Sequence, residues 1–559
     1  MDLVQMLVVI GVIIVLVKPL GTYLYHVFSG ESNRTDNIFG GFERLIYKLV
    51  GFKRREGMSW KKYAFSMIVT NAVLVGVSYL VLRIQQFLPL NPNGMGNMES
   101  SLSFNTVISF MTNTNLQHYS GESALSYFSQ MAVITMMMFT SAASGLCVAI
   151  SFIRGLTQRG QTLGNFFEDF TKAHVRVFLP AALLVTLILV ALQVPQTLDP
   201  TLTVHTLDGA LQRISMGPVA SLESIKHLGT NGGGFFGVNS AHPFENPNGL
   251  SNAVEMWSMW MIGAALPYTF GLFAKNKKQG WVIFSAMMIL FLVFLSTVYF
   301  SEKAGNPAIN ALGIDAAQGS MEGKEVRFGI AGSTLFTTVT TAATTGSVNN
   351  MHDTLTPLGG MVPLVQMMLN VVFGGKGVGL MNMMMYAILG VFICGLMVGR
   401  TPEFLGRKIE AKEMKLIAIA ILAHPFIILV PTAISFMTDL GHSAITNPGF
   451  HGLSQVLYEY TSSAANNGSG FEGLADNTPF WNIMTGLVML FGRYVSIIAL
   501  LGVAGSLMAK EPIPETIGTL RTDNRLFVGI LIGTVLLIGA LTFLPVIAMG
   551  PVAEFLTLG

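Results

Sequence analysis

Ten apolar runs of about 20 residues, the length a helix needs to cross a bilayer core, alternate with polar stretches along this chain. They lie at 3–22, 63–83, 130–152, 175–193, 252–273, 280–299, 379–398, 414–436, 481–507 and 526–548. The pattern predicts ten transmembrane helices. Four of the intervening stretches carry a Gly/Asn-rich break: Thr112–Asn115, Thr230–Gly234, Thr344–Ser347 and Asn466–Ser469. Their centres recur at roughly 114 to 122 residues, as in an array of one repeated unit. Each break follows a shorter apolar run, at Leu102–Met111, Ser221–Leu228, Leu335–Ala343 and Leu453–Ser463. Such runs are too short to cross a bilayer but long enough for a re-entrant helix. The expected fold is an all-α polytopic membrane protein with four span–pore-loop–span repeats in pseudo-fourfold symmetry and one extra helix at each end. Residues 1–62 then hold the first helix and a loop, 63–155, 172–274, 279–400 and 412–509 the repeats, and 524–559 the last helix.

Composition agrees. Of 559 residues, 51% are apolar and 11% charged, against about 25% charged in soluble domains. The formal charge of +2 implies no nucleic-acid partner. Asp2 and Lys18-Pro19-Leu20 do not fit a cleavable signal peptide, so the first run is expected to remain as a span. Cys147 and Cys394 both fall within expected spans and form no metal site.

Charge sets the orientation. Of the 32 Lys and Arg residues, 23 fall in alternate inter-span segments. The first segment holds Arg34, Arg44, Lys48, Lys53, Arg54, Arg55, Lys61 and Lys62; the others centre on Arg154, Lys275, Arg407 and Lys510. The positive-inside rule makes these segments cytoplasmic, so the four breaks and both termini face outside. The segments near 85–129 and 437–480 lack Lys and Arg but carry Glu99, Glu122, Asp439, Glu459, Glu472 and Asp476. They read either as an entrance that attracts cations or as ordinary non-cytoplasmic loops.

The breaks carry the candidate chemistry. A half-helix entering from outside points the negative end of its dipole toward the membrane centre. Gly, and to a lesser degree Asn, then permits the backbone angles that aim successive carbonyls at one axis. Four such strands would form a ring of carbonyls that replaces the water of a large monovalent cation. The filter candidates are Thr112, Asn113, Thr114 and Asn115; Thr230, Asn231, Gly232 and Gly233; Thr344, Thr345 and Gly346; and Asn466, Asn467 and Gly468. A single Asn-Gly or Gly-Gly would read as a surface turn; four at matching positions read as a filter. The cluster Gly374, Gly375, Lys376 and Gly377 interrupts the run before the seventh span and predicts an unwound stretch, with close helix packing as the alternative. Arg493, inside an apolar span, is expected to control the cation path, with a structural ion pair or snorkelling as alternatives. His242, His352, His424 and His451 read as structural. Clustered carboxylates or histidines, as a membrane enzyme would need, are not legible. Nucleotide-binding and phosphorylation-loop motifs are missing too, so uphill transport would draw its energy from a partner or an ion gradient.

The stretches Thr112-Asn113-Thr114-Asn115-Leu116-Gln117, Gly229–Phe236, His242–Pro247, Gly399–Gly406 and Ser462–Gly468 resemble the potassium-transporting A subunits of the bacterial Kdp system. The resemblance covers essentially the whole chain. It implies a K+-binding and K+-translocating subunit of an ATP-driven uptake complex in the bacterial cytoplasmic membrane, with K+ as transported ion and no nucleotide on this chain. A P-type ATPase catalytic subunit (KdpB-like) would hydrolyse ATP, beside accessory KdpC-like and KdpF-like subunits. The implied gate and tunnel set is Gln117, Asn370, Gly374, Gly375, Lys376, Gly377 and Arg493. Thr345 stands where the best-known members have Cys, Asn370 where an acidic residue is expected, and Lys376 where an apolar one is. A stand-alone K+ channel or cation symporter of the same superfamily is the alternative.

Overall fold

The computed structural model describes residues 2–31, 36–51, 56–314, 318–514 and 519–558; of the basic residues named above, Arg34, Lys53, Arg54 and Arg55 lie outside them. The chain is mostly helical. In order come α1 (Asp2–Ser29), α2 (Asp36–Val50), α3 (Trp60–Ile84), α4 (Ser100–Met111), α5 (Tyr127–Thr157), α6 (Phe166–Ala191), α7 (Val219–Leu228) and α8 (Gly249–Phe273). There follow α9 (Lys277–Ala304), α10 (Gly329–Ala342), α11 (Pro357–Leu369), α12 (Val378–Met397), α13 (Ala411–Met437), α14 (Phe450–Ala465), α15 (Pro479–Met508) and α16 (Arg525–Ile547). An antiparallel hairpin, β1 (Leu202–His205) with β2 (Leu211–Ile214), precedes α7.

Side chains that satisfy free amides fix where several helices start. Ser59 accepts from the Lys62 amide before α3, Thr478 from that of Trp481 before α15, and Asn248 closes a capping box with Ser251 before α8. Glu99, one of the acidic residues that read either as a cation entrance or as ordinary loop, caps α4 by accepting from the Leu102 amide. Asp439 likewise opens a short helix, Asp439–His442.

Among the described residues nine helices are long and apolar enough to cross a membrane: α1, α3, α5, α6, α9, α12, α13, α15 and α16. The chain is a multi-pass membrane protein. The other expected span, 252–273, is present as α8 but does not qualify by composition. It carries Ser251, Asn252, Glu255 and Ser258, all buried. These polar groups are tolerable because neighbouring helices enclose α8. Its closest partner is α1: a Cβ at Gly21 would sit 2.9 Å from the Ala265 carbonyl oxygen, and Thr269 Oγ1 donates to the Gly21 carbonyl at 3.1 Å.

Polarity runs inside out, as a lipid-facing protein requires. Leu3, Leu7 and Val15 of α1, Leu183 and Leu187 of α6, and Leu537 and Leu541 of α16 are exposed. Thr334, Thr337, Thr338, Thr340 and Thr341 of α10 are buried, as are Ser103, Asn105, Thr106 and Ser109 of α4.

The basic segments gather on one face. Arg154 pairs with Asp169 and donates to the Phe28 carbonyl, Arg407 donates to the Gly155 and Leu156 carbonyls, the Met58 amide donates to Gly164, and Asn276 donates to Asp523. On the opposite face Glu122 accepts from the Gly237 amide, Arg327 donates to Ala241, Glu472 accepts from His352, and His451 meets Glu554.

The Arg154–Asp169 pair is bidentate, at 2.6 and 2.9 Å, and Tyr63 donates to the same carboxylate at 3.0 Å. Arg154→Ala would strand a buried carboxylate, an expected loss of about 3–5 kcal/mol. Thermal unfolding in detergent should show a large drop in Tm relative to Arg154→Lys; an unchanged Tm would mean the pair does not hold α5 to α6.

Candidate functional site

Four short helices, α4, α7, α10 and α14, precede the four breaks, and all four end in one hydrogen-bond pattern. The amides of Asn113, Thr230, Thr344 and Asn466 donate to carbonyls three residues back, at 3.3, 3.1, 3.4 and 3.2 Å. The amides of Thr114, Asn231, Thr345 and Asn467 donate five residues back, to Ser109, Lys226, Thr340 and Ser462, at 2.9, 2.8, 2.7 and 2.9 Å. This is a Schellman ending, which requires a left-handed residue at its first non-helical position. Asn113 (φ 64°), Thr230 (51°), Thr344 (49°) and Asn466 (57°) supply it. Asn tolerates that conformation; a β-branched Thr does so only under strain, here twice.

Beyond the caps the four strands converge. A Cβ built on Gly232 would lie 2.9 Å from the Thr114 oxygen, 2.9 Å from the Thr345 oxygen and 3.0 Å from the Asn467 oxygen. One residue from each of the other three strands thus turns its carbonyl toward the same place, and Asn231 is their equivalent in the second strand. Gly346 abuts Asn467, and Gly468 abuts Thr114. A side chain at any of these glycines would fill the space the carbonyls share.

The asparagine side chains act as braces between strands. Asn113 Nδ2 donates to the Thr230 carbonyl at 2.7 Å, Asn231 Nδ2 to Asn115 Oδ1 at 3.0 Å, Asn466 Nδ2 to Thr114 Oγ1 at 3.0 Å, and Asn467 Nδ2 to the Thr340 carbonyl at 3.1 Å. Thr112 stays with its helix, its hydroxyl donating to Ile108 at 2.9 Å. Gly233 packs behind the strand against Phe110 and Gln117. The Thr345 hydroxyl is buried without a protein partner.

The chain matches the family model described as Potassium-transporting ATPase A subunit over residues 7–556. It belongs to that family. It is 64% identical over 546 residues, 98% of this chain and 97% of the relative, to a protein of Geobacillus kaustophilus named Potassium-transporting ATPase potassium-binding subunit. Its fold is similar to that of the potassium transporter TrkH from Vibrio parahaemolyticus, with a TM-score of 0.52 and 13% identity, covering 88% of this chain and 96% of that one.

Under the strands lies the expected interruption, and the chain there is unwound. Helix α11 stops at Leu369 and α12 resumes at Val378, with left-handed backbone at Asn370, Phe373, Gly375 and Gly377. The Gly375 amide donates to the Ala343 carbonyl at 2.7 Å, and Asn370 Nδ2 to that of Ala465 at 3.3 Å, so the segment is tied to the ends of α10 and α14. A Cβ on Gly374 would lie 2.6 Å from Thr344 Oγ1. Lys376 is fully buried, donating to the Met259 carbonyl at 3.1 Å. Arg493 reaches the Ser141 carbonyl at 3.5 Å and has no carboxylate partner among the described residues. Gly145 makes room for both, facing the Lys376 carbonyl and the Arg493 guanidinium. Gln117 lies elsewhere. It clamps Gly234 at 2.9 and 3.1 Å and lines the cavity over the strands, apart from the other six residues grouped with it.

That cavity, about 310 Å³, is lined by residues from all four loops, among them Asn115, Gly232, Gly346, Gly468, Glu472 and Asp476. Of the six acidic residues that read either as an entrance or as ordinary loops, Glu472 and Asp476 line it. His118, also on its wall, lies 3.1 Å from Glu459 and 3.7 Å from Asp476. Burial alone would lower its pKa, but the Asp476 charge and the Glu459 hydrogen bond raise it to about 9.

A second buried cluster was not legible. Lys226 bridges Glu223 at 2.9 Å and Glu245 at 2.8 Å, while His227 touches Ser347 at 3.0 Å and Glu255 at 3.4 Å. Glu245 also accepts from the Phe236 amide at 2.8 Å, so the cluster ties the second loop to the third. Glu223, Lys226 and His227 lie one turn apart on α7, but Glu245 in the following loop and Glu255 on α8 are too far along the chain for spacing to join them to it. The four histidines read as structural have protein partners: His242 stacks on Phe236, His352 meets Tyr458, His424 the Met367 carbonyl, and His451 both Asp353 and Glu554.

Gly232→Ala would push a methyl to about 2.9 Å from three carbonyl oxygens. The K+ concentration for half-maximal uptake should rise at least about tenfold, or about 1.4 kcal/mol. Unchanged affinity and unchanged K+/Na+ discrimination would remove Gly232 from the ion path.

Proposed function

We propose that this chain binds and translocates K+ as a subunit of an ATP-driven high-affinity uptake complex. The observation that carries the reading is the convergence of the Thr114, Thr345 and Asn467 carbonyls on Gly232, in a chain of the A-subunit family. Four span–pore-loop–span repeats within ten membrane-crossing helices, α8 included, account for the matching caps. The cytoplasmic membrane is the setting, with the basic face inside and both termini outside.

The mechanism follows from the geometry. K+ sheds water into the carbonyl ring; the neutral oxygens replace its hydration without trapping it. Below, the unwound Asn370–Gly377 segment lies across the direct path, and the Arg493 guanidinium adds a positive charge that opposes onward flow. A partner P-type ATPase of the KdpB kind supplies the energy, beside KdpC-like and KdpF-like subunits. K+ is the cargo, and this chain binds no nucleotide and catalyses no hydrolysis. A stand-alone K+ channel or cation symporter is the alternative; the likeness to TrkH, at 13% identity, bears on the fold alone.

ATP hydrolysis by whatever co-purifies with the chain from native membranes separates the two. Activity stimulated by K+ but not by Na+ is expected. No associated ATPase, together with K+ flux in vesicles holding this chain alone, would overturn the pump reading.

A further inference from the structure

The cavity over the strands carries a feature that K+ passage does not require. His118 Nε2, Glu459 Oε1 and an Asp476 oxygen belong to a group whose donor atoms all lie within 4.8 Å of one another. Nε2 lies 3.1 Å from Glu459 Oε1 and 3.7 Å from Asp476 Oδ2. Ligands of a tetrahedral metal at about 2.0–2.2 Å stand at comparable separations. We propose that His118, Glu459 and Asp476 form a binding site for a divalent transition-metal ion, with Zn2+ as the type, whose occupancy slows K+ access to the filter.

Three further observations support the assignment. His118 Nδ1 lies 2.7 Å from Asn482 Oδ1, and the amide of Asn482 is oriented by its own donation to Ser101 Oγ at 3.1 Å. Nδ1 therefore carries a hydrogen, and Nε2 is the nitrogen directed at the carboxylates. An outer hydrogen bond of this kind fixes the tautomer of metal-binding histidines. Second, the site is built and reachable: the His118 and Glu459 side chains are 0% and 1% exposed, while Asp476 is 25% exposed and lines the cavity. Three protein ligands with a fourth position open to water make a normal zinc arrangement. Third, the donor set discriminates. Imidazole suits Zn2+, Cu2+ or Ni2+, whereas K+ prefers an all-oxygen shell, so the site need not compete for the transported ion.

Binding would place a dication between Nε2 and the two carboxylates, making this wall of the cavity more positive. His118 follows Asn115 by three residues and shares its cavity wall with Gly232, Gly346 and Gly468. The added charge would lower the local K+ concentration at the mouth of the filter. This inhibitory half rests on the filter reading above; metal binding itself does not.

The test uses the intact complex at pH 8, measuring 65Zn2+ binding and K+-stimulated ATP hydrolysis against free Zn2+. The wild type should hold one tight Zn2+ that His118→Ala abolishes and Asp476→Asn weakens at least about tenfold. The half-inhibiting Zn2+ concentration should rise at least as much in both, each taken relative to its own metal-free rate. Asp476→Asn retains the His118–Glu459 contact and keeps the test decisive if His118→Ala does not assemble. Zn2+ binding and inhibition equal in wild type and variants would arise elsewhere and overturn the proposal, as would no binding at all. His118-dependent binding without K+-stimulated hydrolysis would uphold the site and count against the pump reading.

Discussion

Backbone carbonyls without donors are costly inside a protein, about 1–3 kcal/mol each, and still costlier at membrane depth. This chain must nevertheless aim several of them at one point. The Schellman ending shared by α4, α7, α10 and α14 is the device that permits it. The five-back hydrogen bonds of Thr114, Asn231, Thr345 and Asn467 satisfy four amides that would otherwise be free. The left-handed residue before each turns the strand so that its next carbonyl leaves the helix axis. Thr230 and Thr344 adopt that conformation at about 1–2 kcal/mol each, so the surroundings must enforce it.

Enforcement comes from polar contacts between loops. Asn113, Asn231, Asn466 and Asn467 link each strand to a neighbour or to the end of a neighbouring helix. Behind the second and third loops stands the Glu223–Lys226–Glu245 cluster; behind the third and fourth, Tyr458 joins His352 to Ser469 at 2.8 Å on each side. His118 ties the first loop to α14. Such networks act against slack: removing one member leaves buried groups unpaired, so the strands cannot drift independently. The cations below the strands differ in kind. Among the described residues Lys376 donates to the Met259 carbonyl and Arg493 reaches that of Ser141 at 3.5 Å, and neither meets a carboxylate.

Much of this was legible because membrane proteins write their elements in hydropathy. The ten apolar runs all became helices, the short runs became α4, α7, α10 and α14, and the Gly374–Gly377 cluster unwound as glycine in a helix suggests. The run 252–273 became α8 but falls outside the nine helices apolar enough to cross a membrane, since it carries buried Asn252 and Glu255 that other helices enclose. Chemistry carried by distant partners was hidden. Lys226 finds Glu245 across a loop, and His118 lies 341 residues from Glu459, so no spacing rule connects them. Gln117 shows the opposite failure: a motif grouped it with the unwound segment, while its amide clamps Gly234 over the strands. Glu99 and Asp439 were noted for their charge, yet their positions one residue before α4 and at the first residue of a short helix mark them as helix-start residues.

If the four strands bind K+ through backbone carbonyls at one point, an ion that mimics K+ must be found there. The direct measurement is anomalous diffraction from crystals of the complex grown with Tl+ in place of K+, for wild type and Gly232→Ala. Carbonyl binding predicts a peak bounded by the carbonyls of Thr114, Asn231, Thr345 and Asn467 in the wild type and a weakened or missing one in the variant. A peak placed only at side-chain carboxylates, or one unchanged by Gly232→Ala, would contradict it.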